Sequence, residues 1–385
     1  MPDHKNIINT NIKARHGYWS VGEEFFFTKV PALIRATENK QKVRYHFNEH
    51  LYNTIDWRTQ PQESLQELYL QRALELREKY DYLVILYSGG ADSTNMIKTF
   101  IKNGIKIDHV MSWGSKNYQN GDYSRSNIEI TIAGSAMIKE LISMGIKFTF
   151  ENFLEDELIK NIYHKEDWIL DSGASLSPHA ELMSKGMYVK KELLELAHHG
   201  KKVCFIWGKE KPTIELIKEK YYLVFVDTML SELSHAIWYS PEYPLHHEFF
   251  YTQDTITTTK ILAKQSHIII EHLEKHYTVE HIEKLLASDR SATIEEINRI
   301  TNSLVYADTW TNTTFTIGKP KSLLRGQKLG WFFKDENTRQ YKIWQAGFLD
   351  ATNNIDPVYK TDLDTKNMVI PFKKYYFLKS ANFKK

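Results

Sequence analysis

The sequence predicts an α/β protein: a parallel five-stranded sheet with helices on both faces, followed by a helical and mixed C-terminal region. Three observations predict it. Residues 82–87 (YLVILY) form an unbroken apolar and aromatic run, the pattern of a strand buried on both faces. That run passes through Ser88-Gly89-Gly90 straight into a helical pattern. Further strand-length runs at 106–113, 147–150, 202–207 and 222–226 are spaced by helical or loop stretches, the alternation that builds a parallel sheet.

Residues 1–60 read as a strand-rich N-terminal subdomain. Residues 17–29 (GYWSVGEEFFFTK) give short aromatic strands around Gly22, and 43–49 (VRYHFNE) give another. The main α/β domain is expected over 61–230. Pro61 opens a helix to about Tyr80, with Leu65, Tyr69, Arg72, Leu76 and Tyr80 on one stripe. The helix after residue 90 carries Met96, Ile97, Phe100 and Ile101 on one side and stops at Gly104.

The junction at residues 88–93 (SGGADS) is where chemistry concentrates. Glycines let backbone N–H groups approach an anion closely. A helix start adds unpaired N–H groups and the positive end of a dipole. The bland alternative is a tight turn in which Asp92 or Ser93 serves as an N-cap.

SGGADS resembles the SGGxDS signature of the PP-loop ATP pyrophosphatases, the adenine nucleotide alpha-hydrolase-like superfamily with its HUP-like fold. The match covers these motif residues in a strand–turn–helix context, and a broader domain resemblance runs from about Tyr80 to about Asp227. The chain also looks like stand-alone, asparagine-synthetase-like members of bacteria and their phages. The resemblance implies ATP and Mg²⁺ as cofactors. It implies cleavage of ATP between the α and β phosphates, transfer of AMP to a substrate oxygen, and release of pyrophosphate. Ser88, Gly89, Gly90, Ala91, Asp92 and Ser93 would hold the phosphates. Ser112 and Trp113, at the end of the second strand, would meet the adenine; otherwise Trp113 is a surface aromatic. Asp92 would repel a triphosphate unless Mg²⁺ bridges them, so it is the expected metal ligand. Lys209 and Lys211 follow the strand at 202–207 and are expected, with Asp92, to be catalytic by stabilising the leaving pyrophosphate. A solvated lysine turn is the other reading.

Beyond the second strand, 128–144 read as a helix ended by Gly145. Residues 171–179 are rich in turn formers; they either bring hydroxyls and His179 to an acceptor or form a plain loop. The run at 222–226, closed by Asp227, is the expected fifth strand of the sheet. Residues 231–310 read as a helical substrate domain. In it, 238–250 (WYSPEYPLHHEFF) is expected to be a lid or interdomain loop. A helix over 256–277 buries Ile261, Leu262, Ile268, Ile269 and Leu273, and carries His272 and His276 four apart, without a third metal ligand in view. Thr293 to Glu296 fits a capping box. Residues 311–385 read as β-rich, with a hairpin over 331–344 and lysines interleaved with aromatics in the tail; these form a solvated surface or touch nucleic acid.

Composition narrows the function. The net charge of +2 implies no polyanion partner by itself. No apolar run approaches the roughly 20 residues that cross a bilayer, and the first residues lack a signal-peptide core, so a cytoplasmic protein with no membrane partner is expected. The single cysteine, Cys204, excludes a disulfide framework, a cysteine zinc cluster and paired-thiol chemistry within one chain. Pro2 stands where glutamine-using synthetases carry a cysteine nucleophile, so any ammonia would be free or come from another protein. The expected activity is an ATP-dependent, AMP-forming ligase or amidating enzyme. It would adenylate a carboxylate or carbonyl oxygen of a small-molecule acceptor, as a single chain or a homo-oligomer. Modification of a tRNA or DNA base, and a non-catalytic adenine-nucleotide sensor, are the alternatives.

Overall fold

The computed structural model describes residues 17–26, 29–115, 134–153, 191–208, 211–227, 244–252, 255–287, 293–310 and 372–383, with a few isolated positions besides. The chain begins with a small antiparallel sheet. Strands β1 (Tyr18–Val21) and β2 (Glu24–Phe26) form a hairpin in which Gly22 takes a positive φ of 58°. Helix α1 (Lys29–Asn39) follows, and β3 (Val43–His46) pairs with β1. A short helix, α2 (Glu49–Tyr52), leads away from this sheet.

Helix α3 (Leu65–Lys79) starts later than Pro61, because Ser64 caps it. The Ser64 hydroxyl accepts from Glu67 N–H at 3.2 Å, and Glu67 accepts from Ser64 N–H at 2.7 Å. The expected stripe is real: Leu65, Tyr69, Arg72, Leu76 and Tyr80 are all buried. Each buried apolar side chain of this size contributes about 1.5–3 kcal/mol.

The central sheet contains β4 (Tyr82–Leu86), β5 (His109–Ser115), β6 (Lys147–Phe153), β7 (Val203–Trp207) and β10 (His246–Phe249). All neighbours pair in parallel, in the order β10-β7-β4-β5-β6. Helix α4 (Ala91–Lys102) connects β4 to β5, and α5 (Ser135–Ser143) precedes β6. Helix α6 (Lys191–His198) precedes β7. Alternation along β4 separates the two faces. Leu83 and Ile85, with Cys204 and Ile206, join the core that holds α3 and α4. Val84 and Leu86, with Phe205 and Trp207, pack against Leu193 and Ala197 of α6. Helices therefore cover both faces, consistent with a Rossmann-like or HUP fold.

The fifth strand is not the one expected. Residues 222–226 do form a strand, but β9 (Lys220–Val226) belongs to a separate antiparallel sheet. It lies between β8 (Thr213–Ile217) and β11 (Lys373–Ser380). The β8–β9 turn uses Lys218 and Glu219 in the left-handed region (φ 48° and 57°), which suits a two-residue hairpin. The parallel sheet is completed instead by β10, inside the stretch expected to be a lid or loop. Its Glu248 accepts from Arg72 at 2.7 Å and is also bonded by Lys79 and Tyr80, so α3 is anchored to the sheet edge.

Helix α7 (Ile256–His276), α8 (Val279–Leu285) and α9 (Ile294–Val305) follow. Ile261, Leu262, Ile269 and Leu273 are buried, and Ile268 packs against the same core at its edge. The capping box expected at Thr293 does not form. The Thr293 hydroxyl donates to Lys284 O at 3.2 Å, and Glu296 meets His281. The loop at 171–179, the start of the 128–144 helix, and the hairpin at 331–344 save for isolated positions lie outside the described residues. Among the described residues, no helix is long and apolar enough to cross a membrane.

Candidate functional site

The chain runs outward through β4, β5 and β6, then returns to the other side of β4 with β7 and β10. Strand order therefore reverses at β4. In open α/β sheets, the crevice beyond the carboxyl ends of the strands at such a switch point is where ligands bind. Residues 88–93 leave β4 at that place.

Ser88 is exposed and Gly89 is buried with φ 80°, a conformation that suits glycine. Gly90 is the N-cap residue of α4 and makes no side-chain cap, so neither Asp92 nor Ser93 plays that part. Thr94 N–H makes the first helical bond, to Gly90 O at 3.0 Å, which leaves the amides of Ala91, Asp92 and Ser93 at the open end of the helix. The loop is braced by hydroxyls. The Ser93 hydroxyl accepts from Ser88 N–H (3.3 Å) and donates to Gly90 O (3.2 Å), and the Ser88 hydroxyl accepts from Gly90 N–H (3.3 Å).

Gly208, just past β7, closes against this turn. A β-carbon there would fall 2.9 Å from both the N and the Cα of Ser93. The bare glycine lets the ends of β4 and β7 meet, and it keeps the Ser93 amide uncovered by a side chain.

Asp92 and Lys211 are brought together across the chain. Lys211 Nζ lies 3.1 Å from Asp92 Oδ1 and also donates to Asn302 Oδ1 at 2.9 Å. Tyr306 donates to the same Asp92 Oδ1 at 2.7 Å. Tyr251 donates to the Asp92 carbonyl at 2.8 Å and accepts from Asn95 Nδ2 at 3.0 Å. Thr309 donates to Asn95 Oδ1 at 2.9 Å, which fixes that amide. Burial, then the Asp92 charge, pushes the Tyr306 phenol well above its ordinary value; burial, then Tyr69 and Asp92, does so for Tyr251. Both phenols therefore stay protonated and act as donors.

Ser112 is buried, and its hydroxyl donates to Tyr87 O at 2.6 Å, stapling the end of β5 to the residue before the glycine loop. The backbone of Trp113 pairs with Glu151 near the carboxyl end of β5; its side chain lies outside the described residues. So does Lys209. His272 and His276 have ring centroids 4.5 Å apart, and no cluster of three metal-ligating side chains is present among the described residues.

Sequence reasoning missed Asn302, Tyr306, Tyr251, Asn95 and the packing role of Gly208. Asn95 lay within reach, a turn beyond the glycine loop. Tyr251 follows the aromatic stretch directly. Asn302 and Tyr306 carry no local signal, since only the tertiary fold brings the end of α9 to the loop.

The residues fit a polyphosphate with a divalent cation. The helix-start amides of Ala91, Asp92 and Ser93, with a glycine at 208 that puts no side chain over Ser93, suit the anion. The one carboxylate of the loop, Asp92, suits Mg²⁺, which commonly takes one or two carboxylates and draws further oxygens from phosphate and water. No known protein-family model matches the chain. No curated protein matches it either.

Proposed function

We propose that this chain is an ATP-dependent, AMP-forming enzyme of the PP-loop ATP pyrophosphatase kind, adenylating a carboxylate or carbonyl oxygen of a small molecule. The observation that carries the reading is the SGGADS loop itself. It opens a helix at the strand-order reversal, with the amides of Ala91, Asp92 and Ser93 at the open helix end and Lys211 3.1 Å from Asp92. The expected boundary at 230 would move, since β10 (246–249) completes the sheet of the ATP-binding unit; the helices from Ile256 onward, which send α9 to the loop, would lie on the acceptor side.

In this reading the amides of Gly89, Ala91, Asp92 and Ser93 bind the β and γ phosphates, Gly90 N–H bonds the Ser88 hydroxyl, and that hydroxyl adds a polar contact at the exposed rim. Asp92 would hold Mg²⁺, which when bound supplies charge neutralisation to the phosphates. The acceptor oxygen attacks the α phosphorus. The bond from that phosphorus to the bridging oxygen breaks, and pyrophosphate leaves with the bonding pair. Lys211, with Lys209 two residues before it in sequence, neutralises the charge that builds on the leaving group. Ser112 and Trp113 border the adenine side. No side chain is needed as a covalent nucleophile, so catalysis rests on positioning and charge.

The test is product analysis. The protein is incubated with ATP and Mg²⁺ in a small-metabolite extract, and Asp92→Ala serves as the control. AMP and pyrophosphate formed only by the wild type support the reading, and fractionating the extract then leads to the acceptor. ATP binding without AMP, in the extract and with added tRNA and DNA, sinks the enzymatic reading in favour of a nucleotide sensor. AMP formed only with added tRNA or DNA moves the acceptor to a nucleic-acid base.

A further inference from the structure

The end of α9 reaches the loop from more than 200 residues away in sequence, and it does so with two polar groups that divide the charge pair between them. Tyr306 donates to Asp92, and Asn302 accepts from Lys211. The two donors to the Asp92 carboxylate among the described residues, Tyr306 and Lys211, converge on Oδ1. Among the described residues, none bonds Oδ2, and the Asp92 side chain is 28% exposed. Among these residues the carboxylate is thus gripped through one oxygen while the other takes no hydrogen bond.

Tyr306 is itself firmly placed. It is buried, its ring lies 5.6 Å from that of Tyr251 and 6.3 Å from that of Tyr69, and the neighbouring Val305 carbonyl accepts from Tyr69 at 2.9 Å. Lys211 sits 5.9 Å from the Tyr306 ring centroid, so its ammonium is held between that face and Asn302. A lysine on a flexible stem loses much freedom when fixed, so an anchor that pre-sets it lowers the cost of meeting an anion.

We propose that Tyr306 and Asn302 are positioning residues that divide the labour of this site. Tyr306 holds Asp92 through Oδ1 so that Oδ2 takes the divalent cation, and Asn302 holds Lys211 poised for the phosphates. This rests on the nucleotide-binding reading of the loop and deepens it: the site is incomplete without the last turn of α9.

The experiment measures binding, not turnover, in the full-length protein. Two probes are titrated by calorimetry. One is a non-hydrolysable ATP analogue across a range of Mg²⁺ concentrations. The other is inorganic tripolyphosphate in EDTA. Tyr306→Phe keeps the ring and removes the donor to Asp92. It is expected to raise the Mg²⁺ concentration for half-maximal enhancement of binding by about tenfold, the worth of one hydrogen bond to a charged group, while metal-free tripolyphosphate affinity is unchanged. Asn302→Ala is expected to do the opposite. It weakens metal-free tripolyphosphate by roughly three- to tenfold and leaves the Mg²⁺ midpoint in place. If both variants shift both readouts together, or neither shifts either, the division of labour is wrong. Should Tyr306→Phe fail to fold, the split seen with Asn302→Ala alone decides. Wild-type protein that binds neither probe overturns the underlying reading and this inference together. Wild-type binding with indifferent variants overturns only the inference.

Discussion

Gly208 and Ser93 touch so closely that a β-carbon at 208 would lie 2.9 Å from the Ser93 backbone nitrogen. The contact joins the ends of β7 and β4 at the strand-order reversal. It explains why a glycine follows the strand at 203–207, with no appeal to backbone strain.

Gly208→Ala should therefore act by steric displacement. The atoms it meets are backbone, which cannot rotate away, so the start of α4 must move. Overpacking of this kind costs about 1–3 kcal/mol. Urea denaturation should show that loss, and tripolyphosphate binding should weaken with it. A variant with wild-type stability and wild-type binding would mean the two strand ends do not meet this closely.

Asp92 has a structural part separable from its proposed chemical one. Asp92→Ala leaves the buried Tyr306 hydroxyl without its acceptor and removes the Lys211 ion pair. Stranding a buried donor costs about 1–3 kcal/mol. Asp92→Asn keeps an oxygen for Tyr306 and Lys211, so its melting temperature should stay nearer the wild type. Both variants should lose Mg²⁺-dependent AMP formation. If Asn destabilises as much as Ala, the Tyr306 hydrogen bond is not what Asp92 contributes to folding.

These residues also show how far sequence reading reaches. The loop at 88–93 was legible because its signal is local: an apolar run, two glycines and a helical period in direct succession. The α3 stripe was legible for the same reason, and even Arg72 fell on the buried side. What failed was partnership. A period-two or apolar run identifies β9 as a strand, but nothing local says that its neighbours are β8 and a segment some 150 residues later. Strand β10 spans only 246–249 and follows two prolines, so its composition read as loop. Its place in the sheet depends on pairing with β7 and on Arg72 meeting Glu248. Thr293 carried a capping-box pattern, yet its hydroxyl found the carbonyl of Lys284 instead. Tyr306 and Asn302 belong to this class of residue, set by tertiary contact alone.

Glu248 should govern acid stability. Burial pushes its carboxyl up, but the charges of Arg72 and Lys79 and the hydrogen bonds from Lys79 and Tyr80 outweigh burial and bring it from 4.5 down to about 2. A folded value below the unfolded one gives stability that is complete above the unfolded value and lost as pH falls through the folded one. The window is therefore about pH 4.5 to pH 2, and the amount is on the order of 3 kcal/mol. Glu248→Gln leaves Arg72 facing a neutral amide and should cost roughly 3–5 kcal/mol at neutral pH. Its unfolding free energy should also vary less across that acid window. An unchanged acid slope would show that another carboxylate carries the effect.

Lys29 and Asp227 offer the clearest test of a buried pair. Their charged atoms lie 2.7 Å apart, and both side chains are fully buried. Burial lowers the Lys29 value, and Asp227 pulls it back only in part. Between that lowered value and the ordinary one, the unfolded chain binds more protons, so this group makes stability rise with pH across the window. Asp227 has a second duty, accepting from Phe372 N–H at 3.1 Å beside the end of β9. Lys29→Met alone takes the 2.7 Å counter-charge from a buried carboxylate, and Asp227→Asn alone takes it from a buried ammonium, so each should cost about 3–5 kcal/mol. The double variant removes both charges together, and its asparagine can still accept from Phe372. Replacing a buried pair in this way is often neutral or better, so the double variant should recover most of what either single one loses. Urea midpoints of the four proteins measure this directly. Losses that simply add would mean that the two charges do not answer each other in the folded chain.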